Sequence, residues 1–253
     1  MEKIYLERVD STNKWAKAHI KELKDKTLVY TYNQTAGRGR LNRTWNNTGS
    51  DNIYASIVLK PSEIMKDVYS NLTQYLCIIL AETMEEYNVA PKIKWPNDIQ
   101  INGKKISGIL AEGVNTEVGV NIEVNKNTHY EQKLEGIVLG FGVNLNTSKE
   151  ILEKIDQPAT SLNIETNITI DKEIFLQKVL DKFCLLYDKF IEEGFLLIKE
   201  DYIKRASFLN KEVSVRVFDK VLTGKAIDIT DNGALKIVDK HNKEQILFIG
   251  DIL

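Results

Sequence analysis

Residues 92–112 read K-I-K-W-P-N-D-I-Q-I-N-G-K-K-I-S-G-I-L-A-E. Asn102-Gly103 is the preferred chemistry for a two-residue hairpin, because both central positions of that turn need a left-handed backbone. Ile99 and Ile101 precede it and Ile106 and Ile109 follow it, so the turn folds a strand over 98–101 back on a strand over 104–112. Pro96 biases Trp95 away from helix and makes Trp95–Asp98 a corner at the strand entry. Taken singly, Asn97 and Asp98 are turn residues, Lys105 an exposed lysine and Gly108 a bulge glycine.

Upstream, residues 34–45 read Q-T-A-G-R-G-R-L-N-R-T-W. Gly37 and Gly39 let a ligand approach the main chain closely. Arg38, Arg40 and Arg43 place three permanent charges within six residues, each a rigid fork of donors suited to phosphate or carboxylate. A solvated basic loop is the plain alternative. Two nucleotide motifs fail here. A dinucleotide fingerprint needs glycine where Asn42 stands, and neither Gly103-Lys104 nor Gly224-Lys225 completes a Walker-type phosphate loop.

The remaining periodicity describes a strand-rich chain. Strands are expected over 4–9, 28–32, 52–59, 117–124 and 135–139, with Ile53, Ala55, Ile57 and Leu59 sharing one face. Asp10-Ser11-Thr12-Asn13 reads as a helix cap whose hydroxyls and amides could also bond a polar ligand. Amphipathic helices are expected over 67–87 and 171–193, the latter capped by Asp171, with further helix to about Phe208. Residues 148–165 read as loop with a short helix. Short strands over 213–217, 222–229, 234–238 and 245–249 then suggest a small SH3-like β-barrel, too small to stand alone. The fold class is α+β: a mixed-sheet domain over 1–208 and a C-terminal β domain over 209–253.

A net charge of −2 gives no global attraction to nucleic acid, so the basic loop is a local feature. The three histidines are scattered, and no metal cluster or Ser-His-Asp triad can be assembled. Cys77 and Cys184 are expected to be two buried free thiols in a reducing compartment. With no signal peptide and no apolar run near the ~20 residues of a membrane span, a cytoplasmic protein is expected.

Four motifs converge on one family. D-S-T-N at 10–13, Q-T-A-G-R-G-R with Trp45 behind it, K-W-P-N-D followed by G-K-K-I-S-G-I-L-A-E, and G-F-G-V-N-L-N at 140–146 occur in the order found in biotin–protein ligases. The chain resembles the short form of that family, without an N-terminal DNA-binding domain, along essentially its whole length. The resemblance implies the biotin/lipoate ligase fold and a two-step reaction. Biotin and ATP give biotinyl-5′-AMP and pyrophosphate, and a lysine of a biotin carboxyl carrier domain then takes the biotin.

The resemblance also implies roles. Lys105, Arg40 and Asp98 would be the catalytic groups, Asp98 supporting a metal or orienting the incoming lysine. Ser11, Thr12, Asn13, Gln34, Gly37, Arg38, Gly39, Arg40, Lys105 and Gly108 would bind biotin, with the biotin ring lying against Gly108. Arg38, Arg40, Trp45, Asn97, Lys105 and Asn144 would contact the nucleotide, and Mg²⁺ would bridge ATP phosphates. No DNA and no membrane partner is implied, and a homodimer is left open. Two departures stand out: Leu41-Asn42-Arg43 replaces a further Arg-Gly-Arg, and N-T-S-K at 146–149 lacks an arginine that some relatives carry. A lipoate or octanoate ligase or transferase, a biotin-responsive repressor and a non-catalytic biotin sensor are the rival readings, and the G-R-G-R loop with Lys105 favours the biotin ligase.

Overall fold

The Asn102-Gly103 turn forms as its chemistry dictates, with φ of +52° and +75° at its two central residues. It joins β7 (Asp98–Ile101) to β8 (Lys104–Asn121) in a seven-stranded sheet. This computed structural model describes residues 1–40, 43–47, 49–61, 64–121 and 128–253. In chain order the sheet also contains β1 (Lys3–Tyr5), β2 (Thr27–Thr31), β5 (Ile53–Leu59), β6 (Lys92–Lys94) and β9 (Thr128–Val143). The spatial order is β1-β2-β5-β9-β8-β7-β6, parallel between β1 and β2 and antiparallel elsewhere. A separate ribbon pairs β3 (Gly37–Arg38) with β4 (Thr44–Trp45).

Strand alternation splits the sheet into two faces. Ile53, Ala55, Ile57 and Leu59 join Leu139, Phe141 and Val143 in the main core. There α2 (Leu72–Glu85) and α5 (Lys172–Glu193) cover them. Tyr75 is wholly buried where these helices meet; its hydroxyl donates to the Phe183 carbonyl at 2.6 Å and its ring stacks on Phe190. Truncating such a ring would cost about 3–5 kcal/mol. The opposite face carries α1 (Thr12–Ala18), whose Ala16, with Ile20 just beyond the helix, packs on Val29, Val58 and Val138. Ser11 caps α1, its Oγ accepting from Lys14 N at 3.3 Å, and Asp171 caps α5 by accepting from Ile174 N at 3.0 Å.

Short helices α3 (Lys149–Leu152) and α4 (Leu162–Thr166) follow β9, and α6 (Lys199–Arg205) follows α5. A second, antiparallel sheet then contains β10 (Glu212–Val217), β11 (Lys220–Ile229), β12 (Leu235–Val238), β13 (Glu244–Leu247) and β14 (Asp251–Ile252). Its turn Thr230-Asp231-Asn232-Gly233 sits on the first unit. Asn71 Nδ2 donates to the Asn232 carbonyl at 3.0 Å, while Gln74 Nε2 and Trp95 Nε1 both donate to the Gly233 carbonyl, at 2.9 and 3.2 Å. Gly233 has φ of +80°, and a Cβ there would lie 2.4 Å from Asn71 Nδ2, so only glycine suits the seam.

Several expectations change. The first strand stops at Tyr5, and Val9 makes only an isolated bridge to Gln34. The helix expected over 67–87 divides into a 3-10 segment (Ile64–Asn71) and α2. Strands expected at 104–112 and 117–124 are one strand through Asn121, and 135–139 is the inner part of β9; residues 122–127 lie outside the described residues. Strand β14 lies beyond the last strand expected, over 245–249. Cys77 is buried, but Cys184 is exposed on α5, where the neighbouring Phe183 takes the core position. Among the described residues, no helix is long and apolar enough to cross a membrane.

Candidate active site

The face of the sheet carrying α1 opens into a cleft of about 570 Å³, within the size range of small-molecule sites. At one end, Thr12 N donates to Gln34 Oε1 at 2.9 Å, with Thr12 Oγ1 3.3 Å from the same oxygen. Ser56 Oγ, from the same face of β5, lies 2.7 Å from Thr12 Oγ1 and 2.6 Å from Asn13 Oδ1. Asn13 Nδ2 donates to Glu112 at 2.9 Å. Ser11, Thr12, Asn13, Gln34 and Ser56 are all buried; the mutual bonds hold the last four, and the cap bond from Lys14 N holds Ser11.

The floor is made of glycine. A Cβ on Gly140 would lie 2.0 Å from Asn13 Oδ1, and one on Gly142 would lie 2.6 Å from the Trp45 ring. Gly108 faces the same indole, its virtual Cβ 2.9 Å from Trp45 Cζ3. The space against Gly108, expected to take a ligand ring, is thus occupied by Trp45. The indole Nε1 is buried without a hydrogen-bond partner, a donor that an acceptor atom entering the cleft would satisfy.

Cations gather at the other end, each facing an acid. Lys105 Nζ is 2.7 Å from Asp98 and 5.4 Å from the centre of the Trp45 ring. A register shift between Ile99 and Gln100 sets Gly108 opposite Asp98 and Lys105 opposite Gln100. Lys105 is further fixed through its backbone, donating to the Pro158 carbonyl at 2.8 Å and accepting from Thr160 N at 2.9 Å. Arg40 Nη1 lies 3.0 Å from Asp251 and 3.3 Å from Asn97 Oδ1. Arg43 is 3.7 Å from Asp251, and Arg38 is 3.9 Å from Glu112.

Asn97 is buried, its Nδ2 donating to the Ile109 carbonyl at 2.5 Å, and Asn144 Nδ2 donates to the Thr160 carbonyl at 3.1 Å. Burial works against the Glu112 charge, but hydrogen bonds from Lys17 and Asn13 overcome it and hold its pKa below the ordinary carboxylate range. Burial pushes the Lys94 ammonium down, against the opposing pull of Asp98.

The cleft brings together Ser11, Thr12, Asn13, Gln34, Arg38, Gly39, Arg40, Trp45, Asn97, Asp98, Lys105, Gly108 and Asn144. Gly37 does not line it; a Cβ there would lie 2.7 Å from both Gln34 Nε2 and the Trp45 carbonyl, so it allows the β3–β4 ribbon to close. The Leu41-Asn42 part of the loop lies outside the described residues. Sequence reasoning missed Ser56 and Glu112, which hold Thr12 and Asn13, as well as Asp251 and the segment from Ile155 to Ala159 that fences Lys105. Alternation along β5 placed Ser56 opposite Ile57 and Ala55, a signal that was available; Asp251 gave none.

Known proteins resemble this chain in sequence and in fold. Residues 5–144, more than half of the chain, match the biotin/lipoate A/B protein ligase family, and residues 208–252 match the biotin protein ligase C-terminal domain. The bifunctional ligase/repressor BirA of Bacillus spizizenii is 30% identical over 96% of this chain and 71% of its own length. A biotin–[acetyl-CoA-carboxylase] ligase of Paracoccus denitrificans is 29% identical, covering 91% of both chains. The biotin protein ligase of Aquifex aeolicus in complex with biotin and ATP superposes with a TM-score of 0.82 at 27% identity, over 100% of this chain and 97% of that one.

Proposed function

The chain belongs to the biotin/lipoate A/B protein ligase family, and from that membership we propose how its cleft carries out ATP-dependent biotinylation. The activity is that of a biotin–protein ligase. A biotin carboxylate oxygen attacks the α-phosphorus of ATP, the bond to the β-phosphate oxygen breaks, and pyrophosphate leaves. A carrier lysine, as the free amine, then attacks the acyl carbon of biotinyl-5′-AMP; the bond to phosphate oxygen breaks, AMP leaves and the nitrogen loses a proton.

The observation that carries the reading is the pairing of two unlike ends in one cleft. Neutral, buried donors and acceptors at Ser11, Thr12, Asn13 and Gln34 suit the ureido ring of biotin, and a site built of such groups rejects ligands that leave them unpaired. Lys105, Arg38 and Arg40 suit the anionic end, where a carboxylate and a triphosphate must be brought together against their repulsion. Lys105 neutralises charge at the reacting oxygens, while Arg40 and the Gly39 backbone close over the adenylate and exclude water. The partnerless Trp45 Nε1, with Asn97 and Asn144, faces the nucleotide half.

Asp98 and Asp251 are already ion-paired, which fits Mg²⁺ arriving with the nucleotide and held chiefly by its phosphates. Asp98 releases Lys105 and orients the incoming amine. The acceptor is a biotin carboxyl carrier domain. We read 1–208 as the ligase domain and 209–253 as a β domain that completes the cleft, and we place the protein in the cytoplasm, where ATP is supplied. The net charge of −2 supports action on a protein rather than on DNA, and the outer edge of β1 is the surface for self-association, since the edge of β6 is covered by Ser207 N donating to the Ile93 carbonyl at 2.9 Å.

The test is ATP–pyrophosphate exchange with Mg²⁺, run with biotin, lipoate and octanoate side by side. Exchange with biotin alone is expected. Exchange with lipoate or octanoate in its place would move the assignment to the sister activity, and tight biotin binding with no exchange would leave only a sensor.

A further inference from the structure

The carboxylate of Asp251 enters the cleft from the second sheet, yet none of the ligase motifs contains it. Strand β14 is held in place by pairing of Asp251 with Arg216 and Ile252 with Val215, and by Leu253 N donating to the Ser214 carbonyl at 2.9 Å. That anchoring aims the Asp251 side chain at the arginine loop. Oδ1 is 3.0 Å from Arg40 Nη1; Oδ2 is buried, 3.7 Å from Arg43 Nη2, with no hydrogen bond of its own. The acid is 7% exposed, and these two guanidiniums are the cations that face it.

Resting on the ligase reading above, we propose that Asp251 is a positioning residue that holds Arg40 and Arg43 at the cleft before nucleotide binds and yields Arg40 to the phosphates when it does. One carboxylate against two guanidiniums leaves net positive charge, so the held loop still attracts a polyphosphate. Phosphate oxygens offer Arg40 the same kind of charged acceptor with more charge, which makes the exchange favourable. The second sheet thereby contributes to loop order in addition to its docking at the Gly233 seam.

Two variants separate charge from holding. Asp251→Asn keeps an oxygen that Arg40 can donate to and removes the competing charge; it should lower KM for ATP in the exchange assay about threefold to tenfold, more than it changes kcat. Asp251→Ala removes both. In ligand-free protein, limited trypsin digestion should then cut the Arg40–Leu41 and Arg43–Thr44 bonds about tenfold faster than in the parent, while saturating biotin and ATP restore protection. An unchanged cleavage rate in Asp251→Ala, or an unchanged or raised KM for ATP in Asp251→Asn, would overturn the proposal. The digestion of ligand-free protein needs no substrate. If the parent shows no biotin-dependent exchange, the ligase reading falls while cleavage still judges whether Asp251 holds the loop.

Discussion

The two ends of the cleft are built on opposite plans. Around α1, Thr12, Asn13, Gln34 and Ser56 are buried and bonded to one another through neutral contacts of 2.6 to 3.3 Å, beside the buried cap Ser11. Around the arginine loop, Lys105, Arg38, Arg40 and Arg43 are part-exposed and paired with carboxylates at 2.7 to 3.9 Å. The first end is preformed: a ligand finds partners whose orientation is already set, which favours selectivity. The second is held by internal anions that a stronger anion can displace, which favours closure on binding. Recognition and chemistry are thus separated along one cavity.

Lys105→Ala should break the charged end most severely, lowering the biotin-dependent exchange rate by about 10³-fold with little change in biotin affinity, as expected when charge stabilisation made mainly in the transition state is removed. Parent-like exchange in that variant would show that the ammonium has no part in adenylation.

The neutral end breaks at its floor. Gly140→Ala would place a methyl 2.0 Å from Asn13 Oδ1 and so dislodge Asn13 from Ser56 and Glu112. Biotin binding measured by calorimetry should weaken by about 10²-fold. Unchanged affinity would mean that the Asn13 network does not touch biotin.

Arg40→Gly sharpens the contrast, because it should leave biotin affinity within a few fold of the parent while shortening the lifetime of the enzyme-held adenylate about tenfold. Pulse–chase release of labelled biotinyl-5′-AMP measures it, and equal lifetimes would remove Arg40 from retention.

The smallest effect joins the two ends. Glu112 accepts from Asn13 and Lys17 and faces Arg38, so Glu112→Gln should cost about 1 kcal/mol at pH 7. Because folding depresses the Glu112 pKa, its contribution is complete above the ordinary carboxylate value of roughly 4.3 and is lost as pH falls through the lower folded value. Melting curves of parent and Glu112→Gln should therefore converge on acidification; a constant gap down to pH 3 would exclude the linkage.

What could be read in advance was what local chemistry decides. Asn102-Gly103 dictates its own turn, Asp171 its own cap, and alternation along 53–59 its buried face. The three arginines were legible as an anion site because their charges would otherwise repel, whereas Lys105 joined them only through the family resemblance. What depends on distant contacts was hidden. Residues 104–121 looked like two strands because Gly113, Asn115 and Thr116 interrupt the apolar pattern, yet pairing with 128–143 carries the strand through them. Nothing local marks Asp251, since its partners lie more than 200 residues away. Trp45 was read as a nucleotide contact, and only the folded β3–β4 ribbon shows its ring against Gly108 and Gly142.

The Gly233 seam has a consequence for how the molecule melts. One carbonyl accepts from both Gln74 and Trp95, a neighbouring carbonyl accepts from Asn71, and the core runs without a break from Leu72 and Tyr75 to Ile229 and Leu235. Separating the sheets would break these three hydrogen bonds and would expose apolar surface on both sides. The two sheets are therefore one cooperative unit, which gives a single calorimetric transition and leaves a chain truncated after residue 208 prone to aggregate.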